Sequence, residues 1–517
     1  MTEEKNNLSE LPKGWVWATL PNTIGINGIF VDGDWVESKD QNPNGEVRLI
    51  QLADIGDGYF RNRSDRFLTF QKAIELKCTF LMERDLLIAR MPDPLGRACL
   101  FPLKEYKKYV TVVDVAIVRT DSSGIDNRYL MYVINTPQIR SKIDKLQTGT
   151  TRKRIPRSKL ATISLPLPPL PEQHRIVTKI EELFTKLDAG VEALKKVKAQ
   201  LKRYRQAALK YAFEGKLTAE WREAHKDELE PASVLLERIK EERKKTLGKK
   251  YKEPNPVDTT DLPPLPDGWV WSNLDWLVEN HSKAIKAGPF GSSLKKEFYT
   301  KTGFKIYGQE QVIRGDPFFG DYYIDIDRYK SLESCSVKPG DVLISLVGTI
   351  GKVLVLPNRI EPGIINPRLV RLSLDQRIVA GKYIKSYIES SSVRQFFSLL
   401  SHGGTMDILN LKILKQLPIP LPSLHEQSML VQEIERSFSI AEEIEKVIDQ
   451  SLTQADRLRQ SILKRAFEGK LVPQDPSDEP AEKLLERIKA ERESRETEGN
   501  AQKKGKKKKD SAHGRHK

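Results

Sequence analysis

Leu11 to Trp17 reads LPKGWVW and Leu265 to Trp271 reads LPDGWVW, one heptapeptide that returns after 254 residues. The same offset carries Pro171 to Gln173 (PEQ) onto His425 to Gln427 (HEQ) and Ala212 to Leu217 (AFEGKL) onto Ala466 to Leu471. It also matches Tyr129-Leu130 with Tyr383-Ile384 and Arg140 with Arg394, while LLERIK at Leu235 returns at Leu484. Self-similarity at one long period settles the architecture before any element is assigned. The 517-residue chain is two copies of one unit of about 250 residues, with their elements in the same order.

Between those anchors, the first 150 or so residues of each copy read as mixed α/β. Apolar runs bounded by Gly, Pro or Asp predict strands at Arg48 to Leu52, Leu86 to Arg90 and Val110 to Arg119 in copy one. Copy two offers Lys305 to Tyr307, Val342 to Val347 and Leu369 to Leu372. Steps of three and four between apolar residues predict helices over Arg128 to Lys145 and Gly381 to Leu400. Similarity between the copies is low here and confined to scaffold positions, so the two bodies share a fold while differing at their surfaces.

Each copy then passes a proline-rich stop (SLPLPPLPEQ, PIPLPSLHEQ) and enters a long helical pattern. In copy one Ile176, Ile180, Leu183, Leu187, Gly190, Leu194, Val197, Leu201, Tyr204, Ala208 and Tyr211 alternate steps of three and four, a coiled-coil seam. Copy two keeps a looser seam through Leu430, Ile434, Ala441, Ile444, Ile448, Ala455, Leu458 and Ile462. Ser423 and Glu426 form a capping-box pattern, Pro171 suits a first turn, and Gly215 and Gly469 stand where C-terminal caps are expected. Each helix should therefore run about 42 residues, roughly 63 Å. Only the other copy's helix matches that length, so the expectation is an antiparallel coiled coil within a pseudo-two-fold α+β chain.

The composition, 38% apolar and 30% charged, is that of a globular protein. Three cysteines (Cys78, Cys99, Cys335) are too few and too scattered for a disulfide framework, and no run approaches 18 apolar residues. A cytoplasmic setting, without membrane span or secretory signal, is expected. The formal charge of +15 points to a polyanionic partner, yet +7 of it lies in the last 17 residues, AQKKGKKKKDSAHGRHK, where a solubilising tail would serve as well.

Catalytic signatures are missing from the sequence. An adenine methyltransferase places an acidic or amide residue before two prolines and an aromatic, and no such tetrapeptide occurs. Gly348 to Lys352 lacks the spacing of a phosphate-binding P-loop. Pro92-Asp93 with Glu105-Tyr106-Lys107 matches the loose pattern by which nucleases hold Mg²⁺, but Asp93 lies between prolines and copy two has no equivalent carboxylates.

The order LPxGW, variable globular body, PLPxLxEQ, long helix, AFEGKL and LLERIK, once repeated, resembles the DNA-specificity subunit of type I restriction-modification enzymes. Gly288 to Leu294 (GPFGSSL) and Gly340-Asp341 resemble a target-recognition domain of that family. The resemblance implies target-recognition domains at residues 1–170 and 261–423, helical regions at 171–260 and 424–492, and a disordered lysine-rich tail at 493–517. It further implies a noncatalytic subunit that reads double-stranded DNA in two halves. Two methyltransferase subunits and two motor-nuclease subunits would supply the chemistry with S-adenosylmethionine, ATP and Mg, none of them bound by this chain. A coiled-coil scaffold with two protein-binding end domains is the competing class, and an autonomous nuclease a third.

Candidate DNA contacts follow from residue chemistry. Arg90 and Arg97 bracket one strand-end loop, and Lys352 closes its counterpart; an arginine can fork onto guanine, while lysine acts as a point charge. Arg61, Arg63 and Arg66 cluster after a turn, and Arg152, Lys153, Arg154 and Arg157 lie beside hydroxyls suited to phosphate. In copy two Ser292, Ser293, Lys295 and Lys296 follow a Gly-Pro-Phe-Gly turn, and Gln309 and Gln311 could read adenine edges. The WVW tryptophans are expected as core plugs. Seven bases without an acid between Ala193 and Phe213 (Lys195, Lys196, Lys198, Lys202, Arg203, Arg205, Lys210) call for an acidic partner or DNA.

Overall fold

Trp15 and Trp269 anchor the two copies in the same way. Each precedes a short strand that pairs antiparallel with the proline-rich stop of its own copy, Val16–Thr19 with Ser164–Leu167 and Val270–Ser272 with Ile419–Leu421. Both indoles are buried, at 6% exposure, and each donates its N–H to the glutamate of its copy's EQ pair, Trp15 to Glu172 at 3.0 Å and Trp269 to Glu426 at 2.8 Å. The computed structural model describes residues 10–92, 94–105, 107–120, 125–149, 153–400 and 409–494. It divides into two compact units, Met1–Leu194 with Gln450–Lys517, and Lys195–Asp449.

In the first unit a four-stranded antiparallel sheet runs in the order Ile29–Asp32, Val115–Arg119, Leu86–Ala89, Ala98–Leu100. A second sheet orders Arg66–Leu68, Val47–Ile50 and Tyr109–Thr111, its last pair parallel. The second unit repeats both: Ile285–Ala287, Leu369–Leu372, Val342–Ser345, Val353–Val355, and then Tyr323–Ile324, Phe304–Tyr307, Gly363–Ile365. Leu86–Ala89 and Val342–Ser345 are buried throughout, as uninterrupted apolar runs require. The predicted strand over Val110 to Arg119 is two strands in different sheets, because the chain turns at Val112–Asp114 to pass from one to the other. The predicted helices also divide, into Asn127–Ile134 and Pro137–Lys145, and into Gly381–Ile388 and Ser391–Leu400. Thr136 caps the second piece and Pro137 opens it, so the first helix cannot continue through that point.

The long helices are Leu170–Phe213 and Leu424–Phe467, 44 residues each. Within the first unit Asp188 pairs with Arg459, whose guanidinium lies 4.2 Å from the Phe184 ring centre, and Arg175 pairs with Asp478 at 2.5 Å. Within the second, Lys198 meets Asp449 at 2.6 Å and Arg205 meets Glu445 at 2.9 Å. Rising numbers on one helix meet falling numbers on the other, the antiparallel pairing expected. The seam differs from expectation in its second half. Val197, Tyr204 and Tyr211 are exposed, as are Ile444 and Leu458, and the buried line passes to Leu201, Leu209, Ala212 and Phe213. Acids on the second helix draw Lys198 and Arg205 toward it, so some of the basic stripe is neutralised inside the unit.

Each helix ends by packing on the other copy's globular body. Phe467 meets Tyr129 edge-on at 5.4 Å, and Phe213 meets Tyr383 at 5.4 Å. Gly469 and Gly215 cap the helices at φ +68° and +69°, and a Cβ on either would overlap a proline of the other copy's LPxGW motif, Pro12 or Pro266. The two repeated motifs are thus complementary surfaces, exchanged between copies. The capping box expected at Ser423 forms by half. Glu426 N–H donates to the Ser423 hydroxyl at 3.3 Å, but the Glu426 carboxylate is taken by Trp269, Thr218 and Arg222.

Candidate nucleic-acid interface

The strand ends of the first unit gather arginines around one carboxylate. Arg90 follows Leu86–Ala89; its backbone N–H donates to Asp114 O and its own carbonyl accepts from Ile155 N, which pins the 153–157 segment beside it. Its guanidinium donates to Val113 O and lies 3.3 Å from Asp32, which also meets Arg157 at 3.4 Å. Phe30, Asp32, Arg90, Arg154, Arg157 and Arg492 line a cavity of about 710 Å³. Burial pushes the Arg90 pKa down, with Asp32 and Asp114 opposing the shift and Arg154 and Arg157 adding to it. Arg90 is 8% exposed and spends its fork on Val113 O and Asp32, so it is the exposed guanidiniums of Arg154 and Arg157 that the cavity offers to an anion, and phosphate oxygens match guanidinium geometry.

Other predicted residues have separate fates. Lys153 and Arg154 are exposed, and Arg154 bridges back to Thr148, whereas Arg152 lies outside the described residues. Asp54, fully buried, shapes the next turn by accepting from the backbone N–H of Arg63 and Ser64 at 2.6 and 2.8 Å. That leaves the Arg63 side chain exposed, while Arg61, half-buried, lies 5.7 Å from the Tyr59 ring centre. Nothing in the sequence marked Asp54 as the organiser of this cationic turn.

Arg97 and Gln311 are corrections. Arg97 is 4% exposed and donates to the carbonyls of Ile55, Leu52 and Pro94 at 2.6, 2.7 and 3.0 Å, so its fork is spent on the domain's own backbone. Arg97→Ala should lower stability by about 2–4 kcal/mol, since it orphans three carbonyls and opens a void, without changing which bases are read. Urea unfolding beside a binding-site selection checks this; a relaxed half-site in a fully stable variant would contradict it. Gln311, 2% exposed, accepts from Gly308 N and donates to Phe319 O, both at 2.9 Å. Gln309 spends its amide on Val347 O.

In the second unit Ser292, Lys295 and Lys296 are exposed and Lys352 is half-buried. Sequence reasoning passed over Arg368, exposed at the start of Leu369–Leu372, where its backbone N–H donates to the Asn366 side chain at 3.0 Å. Its adjacency to a buried strand was the available signal. Of the nuclease-like pattern, Asp93 and Tyr106 lie outside the described residues, and exposed Glu105 accepts from the Tyr109 hydroxyl at 3.4 Å. Among the described residues no His, Cys, Asp and Glu side chains gather in threes as metal ligands, and no helix is long and apolar enough to cross a membrane.

Residues 29–203 and 290–454 match the family model of the type I restriction modification DNA specificity domain. The chain belongs to that family. It is similar to the EcoBI specificity subunit of Escherichia coli, 26% identical over 396 residues that span 73% of this chain and 74% of the relative. The EcoKI specificity subunit of Escherichia coli strain K12 is 26% identical over 383 residues, 70% and 71% of the two chains. Among solved structures, a chain from a type I R-M system studied for complex assembly and conformational transition aligns with a TM-score of 0.59 and 18% identity, over 90% of this chain and all of that one. The HsdS subunit from Thermoanaerobacter tengcongensis aligns at 0.53 and 18%, over 91% and 100%. A specificity subunit recognises DNA sequence and is itself noncatalytic.

Proposed function

We propose that this specificity subunit reads a split duplex target, one half-site to each globular body (residues 1–170 and 261–423). The observation that carries the reading is one fold built twice with different chemistry at matching strand ends. Where the first unit has Arg90 and Arg157 beside the cavity, the second has Leu346 and Leu411 at the equivalent positions, and Arg368 stands where the first has Asp114. Two readers of different sequences call for a shared frame and unlike surfaces. Lys153, Arg154, Arg63, Lys295 and Lys296 serve phosphates, and Arg368 and Lys352 are the base-edge candidates of the second half.

The chemistry belongs to partners in the cytoplasm. Two methyltransferase subunits use S-adenosylmethionine on adenines within the target, and two motor-nuclease subunits use ATP and Mg²⁺ for restriction. Mapping methylated adenines in the host genome defines the duplex to test. The full chain should bind it with a steep salt dependence, a log–log slope of roughly −4 to −6 for about five or six neutralised phosphates. Scrambling either half-site should weaken binding, and the chain alone should neither methylate nor cut. A shallow slope with no preference for the mapped sequence would instead support a protein-binding scaffold. Cleavage by the lone chain with Mg²⁺, lost in Asp93→Ala, would restore the nuclease reading.

A further inference from the structure

Two equivalent glycines set one exposed aromatic on each unit. Gly33 follows the edge strand Ile29–Asp32, and Gly288 follows Ile285–Ala287 at the same edge of the other four-stranded sheet. A Cβ on Gly33 would overlap the carbonyl oxygen of Val112, and one on Gly288 that of Asn366. Val112 and Asn366 are themselves 254 residues apart, so the close approach is one repeated feature. Two residues beyond each glycine stand Trp35, 70% exposed, and Phe290, 88% exposed. Each is the most exposed large apolar side chain of its unit among the described residues.

Their settings point to one occupant. Gly33 directly follows Asp32, which lines the arginine cavity, and Trp35 donates its indole N–H to Glu37 at 3.3 Å. Gly288 N–H donates to Leu369 O, next to exposed Arg368, and Lys295 and Lys296 stand a few residues beyond Phe290. The cations around these positions differ between units, as base reading requires, while the glycine and the aromatic are kept. A feature shared by readers of different sequences serves a sequence-independent contact. An aromatic face stacks on any base, and an apolar wedge can open the step between neighbouring base pairs.

We propose that Trp35 and Phe290 are stacking wedges, one per half-site, that enter the base stack of the bound duplex beside the bases each unit reads. The proposal rests on the reading that each unit holds half of a duplex target. The test uses the full chain and target duplexes carrying 2-aminopurine at single positions of either half. Trp35→Ala should weaken binding about tenfold and abolish the fluorescence change in one half only, and Phe290→Ala should do so in the other. Trp35→Phe and Phe290→Tyr should keep most of both signals, and none of the four should alter the preferred bases.

Unchanged affinity and fluorescence in the alanine variants would overturn the wedge. So would intact DNA binding with loss of co-purifying methyltransferase subunits, which would make the aromatics protein contacts. A fall in melting temperature that accounts for the lost affinity would make them structural residues. Failure of the parent reading appears elsewhere, in a wild-type chain that does not distinguish the split duplex from a scrambled one, and the wedge falls with it.

Discussion

Replacing Arg222 with methionine is expected to lower the stability of the second unit by about 3–5 kcal/mol, the cost of stranding a buried carboxylate. Glu426, 2% exposed, accepts from Arg222 Nε at 2.9 Å, Thr218 Oγ at 2.7 Å and Trp269 Nε1 at 2.8 Å. Arg222 is its one cationic neighbour in that set, and its guanidinium also stacks 5.5 Å from the Trp269 ring centre. Methionine keeps much of the volume and removes the charge. Glu426→Gln in the same chain should recover most of the loss, because an amide leaves no uncompensated charge behind. Equilibrium urea unfolding of the full chain measures both; a single variant as stable as wild type would show that the Glu426 site does not depend on the Arg222 guanidinium.

The equivalent glutamate should behave oppositely. Glu172 is 1% exposed, and burial pushes its pKa above the ordinary value, against the downward pull of Trp15 and Arg175. Val472 and Pro476 stand at the repeat positions of Thr218 and Arg222, and Gln474 and Arg175 act on Glu172 in their place without overcoming its burial. With its pKa raised on folding, the native chain holds this proton to higher pH than the unfolded chain does. Stability from Glu172 is present below the unfolded pKa and declines as pH rises through the folded one. Glu172→Gln should flatten that decline and leave the protein at least as stable as wild type at neutral pH, a result read from urea midpoints across the acid range.

These two glutamates also mark where sequence reading ends. The repeat, the buried strands, the helix limits and the antiparallel pairing were legible because hydrophobic spacing and turn residues are local signals. The break at Thr136-Pro137 was missed, although a cap followed by a proline marks it, because the apolar spacing continues on either side. The exchange of AFEGKL turns onto the other copy's LPxGW motif was not legible, since complementarity between two repeated motifs has no periodicity. The seam moved for a similar reason: Lys198 and Arg205 are drawn across by Asp449 and Glu445, which lie some 240 to 250 residues away. Arg97 and Gln311 show the limit for the interface. A polar side chain after a buried strand can face solvent or neighbouring carbonyls, and only the fold places Ile55, Leu52 and Phe319 within reach.

Inserting one heptad into each long helix, after Leu194 and after Asp449, is expected to change the length of the recognised spacer and leave the half-site bases untouched. Both points lie within unbroken helices, Leu170–Phe213 and Leu424–Phe467. Paired insertions keep each unit's own contacts in register, Asp188 with Arg459 in one, and Lys198 with Asp449 and Arg205 with Glu445 in the other. An insertion in one helix alone leaves seven residues without a partner, and should destabilise the chain instead. Seven residues preserve the facing stripe and add about 10 Å of helix. At about 3.4 Å per base pair the spacer could lengthen by up to roughly three base pairs. Screening a library of spacers between fixed half-sites, by binding or by methylation with the partner subunits, gives the answer. An active paired-insertion variant that keeps its original spacer would refute a helical ruler, and one whose half-site bases change would show that the helices help to shape the reading surfaces themselves.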